Sequence, residues 1–262
     1  LYKASKAMRK AGQNMKRNGE ELSKMVTLPV VGIGAAAVAT AAKFEKLQVS
    51  LNTLTGSAIE GEKAFKRLKE LSAGTPFQLE DLVKAQNTLM GFSLSSDEAF
   101  ESVKMLGDVA AISGADMSRL SVTFGQAAAE GRVMTKDIRE FINNGVPMIK
   151  LLADEMGVAE SEILDLASEG KISFKVLTSA FRKATSEGGM FADGMKKQAG
   201  TIGGLFSTLK DNVSILLADI GKAIVDAGLR EMIVGVTDAA RDAVKVFANL
   251  SPETKKLIVV IA

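Results

Sequence analysis

Three arrangements of residues in this chain have spacings that elsewhere support chemistry. Carboxylates stand side by side at Glu20-Glu21, Glu80-Asp81 and Asp97-Glu98. Glycoside hydrolysis needs two carboxyl groups facing one another across a cleft, ~5–9.5 Å apart. Neighbours in sequence at a helix start do not face one another. Glu80, Asp81, Asp97 and Glu98 fall in first turns, where the helix dipole favours negative charge. Ser207 and Lys210 have the Ser-x-x-Lys spacing of an acylating serine, but the Ser-Asp-Asn and Lys-Thr-Gly partner motifs are absent. Gly32, Gly34 and Ala37 have the spacing of a dinucleotide-binding turn. That turn needs a strand before it and an acidic residue about 20 positions on, where this chain reads Asn52-Thr53-Leu54-Thr55-Gly56-Ser57. All three arrangements read as structural, and no P-loop or EF-hand spacing occurs.

The composition narrows the chemistry further. The 262 residues include no Cys, His or Trp and one Tyr. Zinc, haem and iron–sulfur ligation by the usual side chains is excluded or strongly disfavoured. Ser-His-Asp and Cys-His catalysis are excluded. Thirty-three basic and 31 acidic residues give a net charge of +2, too balanced to favour a specific nucleic-acid partner. The expectation is a non-enzyme without catalytic, cofactor-binding or metal-binding residues. At this length the core needs no staple. Abundant Ala, Leu and Met favour helix, while few aromatics and few β-branched runs disfavour a large sheet. The expected fold is all-α: a compact domain of short helices, flanked by an N-terminal amphipathic or coiled-coil helix and a C-terminal long helical region.

The expected elements follow in chain order. Residues 1–28 carry a heptad pattern, with Leu1, Met8, Met15 and Leu22 at one seam position and Ala4, Ala11, Asn18 and Met25 at the other. Three readings stay open: a coiled coil between copies with Asn18 setting register, a helix packing on its own domain, or a membrane-surface helix. The last rests on seven basic and two acidic residues within 1–24. Residues 29–43 form a Gly/Ala-rich apolar segment within an uncharged run, Met25 to Ala42. Pro29, Gly32 and Gly34 weaken that run as a spanning helix, and small-residue helix packing is the plainer reading.

Residues 44–189 read as the compact helical domain, with Gly or Pro every 10–20 residues. Thr75-Pro76-Phe77-Gln78 looks like a helix start with Thr75 as N-cap. Further starts are expected at Ser95, Asp116, Thr135, Pro147 and Ser173. Ends are expected at Gly91, Gly114, Gly131, Asn143-Asn144-Gly145, Gly157 and Gly170. Such helices are too short to persist alone and need a shared core. Residues 190–250 read as long helices, with one stripe at Ile202, Leu205, Phe206, Leu209, Val213, Leu216, Ile220 and Ile224 and another from Ile233 to Phe247. Residues 251–262 start a further apolar helix. The Leu1 beginning and the apolar ending suggest a piece cut from a longer polypeptide.

The central stretch resembles the N-terminal conserved region of bacteriophage tail tape measure proteins. The resemblance is carried by Ser72-Ala73-Gly74-Thr75-Pro76-Phe77-Gln78-Leu79-Glu80-Asp81-Leu82 and Met90-Gly91-Phe92. It continues in Gly125-Gln126-Ala127-Ala128-Ala129-Glu130-Gly131-Arg132-Val133-Met134-Thr135, Ile142-Asn143-Asn144-Gly145-Val146-Pro147, and Ser168-Glu169-Gly170-Lys171-Ile172-Ser173. It covers about residues 26–220. The family-motif residues, all given structural roles, are Thr75, Pro76, Phe77, Gly125, Gln126, Gly131, Gly145, Pro147 and Gly170.

The resemblance implies a virion protein of the phage tail-tube lumen, made in the host cytoplasm, whose length templates the tube and which leaves with DNA at infection. Implied partners are copies of itself, tail tube and tail tip or baseplate proteins, tail assembly chaperones, and the host membrane. The alternative is a membrane-inserting or pore-forming helical module that aids genome delivery. The Gly and Pro punctuation of 44–187 departs from an extended rod, so this region is expected to be a folded module and not itself ruler-like.

Overall fold

The structure, a computed structural model, describes residues 28–231 together with 234 and 238. The candidate seam Leu1, Ala4, Met8, Ala11, Met15, Asn18, Leu22 and Met25, nearly all of the stripe from Ile233 to Phe247, and residues 251–262 lie outside the described residues.

The chain is helical, as its composition requires. The helices are α1 (Leu28–Thr55), α2 (Ala58–Ser72), α3 (Leu79–Gly91), α4 (Ser96–Ser113), α5 (Met117–Glu130), α6 (Thr135–Asn143), α7 (Met148–Met156), α8 (Ile163–Ser168), α9 (Phe174–Thr185), α10 (Gly194–Ala199) and α11 (Ile202–Ile224). A 3-10 turn at Glu160–Glu162 precedes α8. A π turn at Val225–Leu229 follows α11, kinked at Gly228 with φ 109°. Among the described residues there is no strand, and the extended pairing is a bridge between Arg132 and Ser173.

Local signals set most of the helix ends. Ser95 accepts from the Glu98 N–H at 3.3 Å while the Glu98 carboxylate accepts from the Ser95 N–H at 2.9 Å, a reciprocal cap for α4. The Ser95 hydroxyl, which donates to the Glu98 carboxylate at 2.6 Å, and then the Ser95 N–H hold that carboxyl below its usual range. Asp116 caps α5 through the Arg119 N–H at 3.0 Å, and Ser173 caps α9 through the Val176 N–H at 3.3 Å. Gly114, Gly131 and Gly157 close α4, α5 and α7 in the left-handed conformation.

One start differs from expectation. Thr75 does not cap a helix: α3 begins at Leu79, and Gln78 makes no side-chain cap bond. The reason is tertiary. From 132 residues away, the Asp211 carboxylate on α11 accepts the Leu79 N–H at 3.2 Å. Ser207 and Thr208 donate to the Pro76 and Thr75 carbonyls at 2.8 and 3.3 Å. The segment is therefore held against α11, and the capping oxygen comes from that helix.

The chain divides into two units. Lys43–Ile215 is one; residues 1–42 and 216–262 form the other. Within Lys43–Ile215 the core is a single cluster. α3 packs on α2, α4 and α5, α9 on α7, and α10 on α4. At its centre four phenylalanines meet edge to face. Phe124 lies 5.0 Å from Phe174 and 5.9 Å from Phe181, and Phe141 lies 5.3 Å from Phe181. Phe124, Phe141 and Phe181 are fully buried, as are Leu51, Leu68, Leu82, Leu89 and Leu106 around them.

Within the other unit, small residues allow close helix approach. A Cβ on Gly221 would strike the Ala37 carbonyl and the Ala41 methyl, and Ala37 and Ala218 are buried. The Gly/Ala-rich segment is thus a packing surface here. Among the described residues no helix is long and apolar enough to cross a membrane.

Candidate functional site

The residues that carry the sequence motifs sit at the fastenings of the fold. Thr75, Pro76 and Phe77 lie in the segment bound by Ser207, Thr208 and Asp211; Thr75 is buried, and Phe77 packs against the core edge. Gly125 faces Phe92, and a Cβ there would overlap the ring, so the 125 and 90–92 motif pieces meet. Gln126, one position on, is exposed on α5.

Gly131 turns the chain out of α5 with φ 70°. Beyond it, the Val133 N–H donates to the Ile172 carbonyl at 2.8 Å and the Phe174 N–H to the Gly131 carbonyl at 3.0 Å. The two motif segments around 131 and 172 are thereby clamped together. The Arg132 guanidinium lies 3.2 Å from where a Gly170 Cβ would stand. Gly145 turns with φ 78°, its Cβ position 3.3 Å from the Ser113 carbonyl, and Pro147 precedes α7 as its cap residue. These motif residues form several knots spread over Lys43–Ile215 and do not converge on one cleft.

Glu20 and Glu21 lie outside the described residues; Ser207, Glu80, Asp97 and Glu98 are engaged structurally. The Ser207 hydroxyl donates to Pro76, so its Ser-x-x-Lys spacing with Lys210 serves docking. Lys43 and Lys84 both pair with Glu80, which holds that carboxyl below its usual range. Arg67 pairs with Asp97 and lies over the Phe100 ring, 3.9 Å from its centroid. A groove of about 540 Å³ lies between α4 and α9. Its acidic residues are partnered: Asp97 with Arg67, Glu101 with Lys104, and Glu98 with Ser95. Asp108, also lining it, accepts the Met195 N–H at 2.9 Å. Among the described residues no group of three or more acidic side chains could hold a metal ion.

Sequence reasoning missed the two carboxylates that act at a distance: Asp211 of α11, which accepts the first N–H of α3, and Asp108 of α4, which accepts the Met195 N–H of α10. Glycines mark the second docking: a Gly107 Cβ would meet the Met195 thioether, and a Gly194 Cβ would meet the Asp108 backbone. The Gly194 in an otherwise loose stretch was the available signal.

Asp137 is a further buried carboxylate, 2% exposed, and its Oδ2 accepts the Met134 N–H at 2.9 Å. Burial pushes its carboxyl above the ordinary 3.8, and the Met134 N–H opposes this. A carboxyl that binds its proton more tightly when folded removes stability as pH rises through that window. Asp137→Asn keeps an oxygen for the Met134 N–H and drops the buried charge. At about pH 7 the variant is expected to be as stable as the parent or more so, with the advantage fading by about pH 3. Urea unfolding at the two pH values checks this. A variant less stable at neutral pH would contradict it.

The tape measure protein family model matches residues 35–222. No curated protein and no solved structure matches the chain. The match takes in α2 to α10 entire, most of α1 and nearly all of α11, with every one of the fastenings above. This chain belongs to the tape measure protein family.

Proposed function

We propose that the chain is a non-enzymatic structural component of a phage tail, that it takes part in templating tail-tube length from within the tube lumen, and that it leaves with DNA at infection. The observation that carries this reading is the family match over residues 35–222, whose motif residues are spent on holding one folded unit together. On this reading Lys43–Ile215 is an assembly or delivery module, and length is measured by chain lying elsewhere. A helical ruler gains ~1.5 Å per residue only where it is extended, and a unit with a shared core is not extended. The partners that follow are copies of the chain, tube and tail-tip or baseplate proteins, and assembly chaperones, with the host membrane met at delivery.

A nonsense mutation early in this reading frame tests the reading. Lysates should contain no tails, or tails of uncontrolled length, with tails of one length restored by supplying the protein in trans. Tails of normal, uniform length without the chain would overturn it.

A further inference from the structure

A helix start is encoded at Thr75-Pro76-Phe77-Gln78, and the folded chain does not use it. Residues 75–78 are not helical, Gln78 is extended with φ −72° and ψ 150°, and α3 begins at Leu79. If α3 began one turn earlier, at Pro76, the Leu79 N–H would donate to the Thr75 carbonyl and the Glu80 N–H to the Pro76 carbonyl, as the helical ladder requires. Three of those four groups are instead taken by side chains of α11. Asp211 accepts from the Leu79 N–H at 3.2 Å, Thr208 donates to the Thr75 carbonyl at 3.3 Å, and Ser207 donates to the Pro76 carbonyl at 2.8 Å. Helix α11 thus supplies from outside the partners that the missing turn would supply from within.

Little else holds this arrangement, and it is incompletely satisfied. None of residues 202–215 of α11 belongs to the hydrophobic core cluster, and Ile202, Leu205, Phe206, Leu209 and Val213 are exposed. Thr75 and Asp211 are 6% and 4% exposed, yet the Thr75 hydroxyl and the Asp211 Oδ2 have no hydrogen-bond partner among the described residues. A buried polar atom without a partner costs about as much as a hydrogen bond gains, so the docked state is favoured by little. A helix beginning at Pro76 removes one of these costs. The Thr75 hydroxyl there accepts the Gln78 N–H as an N-cap, and Pro76 stands at the first helical position, where its missing N–H loses nothing. Ala73 and Gly74 remain as the connection from α2, a usual length for neighbouring helices.

We propose that residues 75–78 are a two-state switch thrown by α11. With residues 202–215 docked, the segment is non-helical and Asp211 caps α3 at Leu79. With that stretch withdrawn, the segment winds onto α3, which then starts at Pro76 under a Thr75 cap. The three hydrogen bonds from α11 are exchanged for three inside the segment: Leu79 N–H to the Thr75 carbonyl, Glu80 N–H to the Pro76 carbonyl, and Gln78 N–H to the Thr75 hydroxyl. Because the bonds nearly balance, a modest preference of any contact on α11 for one state moves the equilibrium. Helix α3 packs on α2, α4 and α5, so the switch carries the position of α11 into the core of Lys43–Ile215. The inference rests on these contacts and does not depend on the tail assignment.

Nuclear magnetic resonance of the full chain reads both states, through the Cα shifts of residues 76–78 and the amide exchange of Leu79. In the parent the three Cα shifts should be non-helical. In the triple variant Ser207→Ala/Thr208→Ala/Asp211→Ala they should become helical. The substituted side chains lie outside the core cluster, so cooperative unfolding in urea should be kept. Thr75→Ala separates the two states. In the parent it removes a buried hydroxyl that has no partner, and Leu79 exchange should stay as slow or become slower. In the triple variant it removes the cap, and the ratio of helical to non-helical residues 76–78 should fall by about fivefold. Non-helical shifts at 76–78 in the triple variant would overturn the proposal. So would faster Leu79 exchange on Thr75→Ala in the parent, which would show that the hydroxyl serves the docked state. Loss of cooperative unfolding in the triple variant would also overturn it, because α11 would then be part of the core.

Discussion

Truncating Phe181 to alanine is expected to lower the stability of Lys43–Ile215 by about 3–5 kcal/mol. Phe181 is fully buried and touches two other rings, Phe124 at 5.9 Å and Phe141 at 5.3 Å. It sits on α9, and the rings it meets sit on α5 and α6, so one side chain ties three helices. The loss combines the transfer free energy of the ring with the cavity left among neighbours that cannot collapse onto alanine. Each edge-to-face contact adds about 0.5–1.5 kcal/mol beyond area burial. The helices here have 9 to 14 residues in α5, α6 and α9, too short to persist without that core. Chemical denaturation followed by circular dichroism measures the effect. A loss below about 1 kcal/mol would show that the aromatic cluster is not the centre of the fold.

Much of this architecture is legible in the sequence because its signals are local. Ser95 and Glu98 stand three apart and form their reciprocal cap; Asp116 and Ser173 cap where their neighbours place them; Gly114, Gly131 and Gly157 stop helices. Those features depend on a few consecutive residues, and the chain states them directly. The start of α3 was not legible for the complementary reason. Thr75-Pro76-Phe77-Gln78 has every local mark of a helix start, yet the cap comes from Asp211, and a contact across 132 residues leaves no periodic trace. The same holds for the clamp between Gly131–Val133 and Ile172–Phe174, and for Asp108 on the Met195 N–H.

The apolar stripe of α11 is an intermediate case. Its period can be read from the sequence, but an apolar stripe usually points inward. Here the opposite face, with Gly204, Ser207, Thr208 and Asp211, is shaped for close polar docking, and that was the readable sign that the stripe faces out. The motif residues divide likewise. Gly131 and Gly145 are explicable from turn geometry, whereas Gly125 is explained only by the Phe92 ring lying against it.

The second large effect concerns length. If residues 43–215 were part of an extended helical ruler, their in-frame removal would shorten a tail by about 260 Å, at ~1.5 Å per residue. The fold argues otherwise. The chain reverses repeatedly, residues 75–79 are bound to residues 207–211, and 131–133 to 172–174, so this stretch cannot lie end to end while those contacts hold. Its loss is expected to remove a module and leave the tail length unchanged.

Electron microscopy of tails made with residues 43–215 deleted in frame tests this account most directly. The account predicts that tails are absent or, where they form, keep the parental length. Uniform tails shorter than the parent by about 260 Å would contradict it, because they would show that this unit is itself a stretch of the ruler.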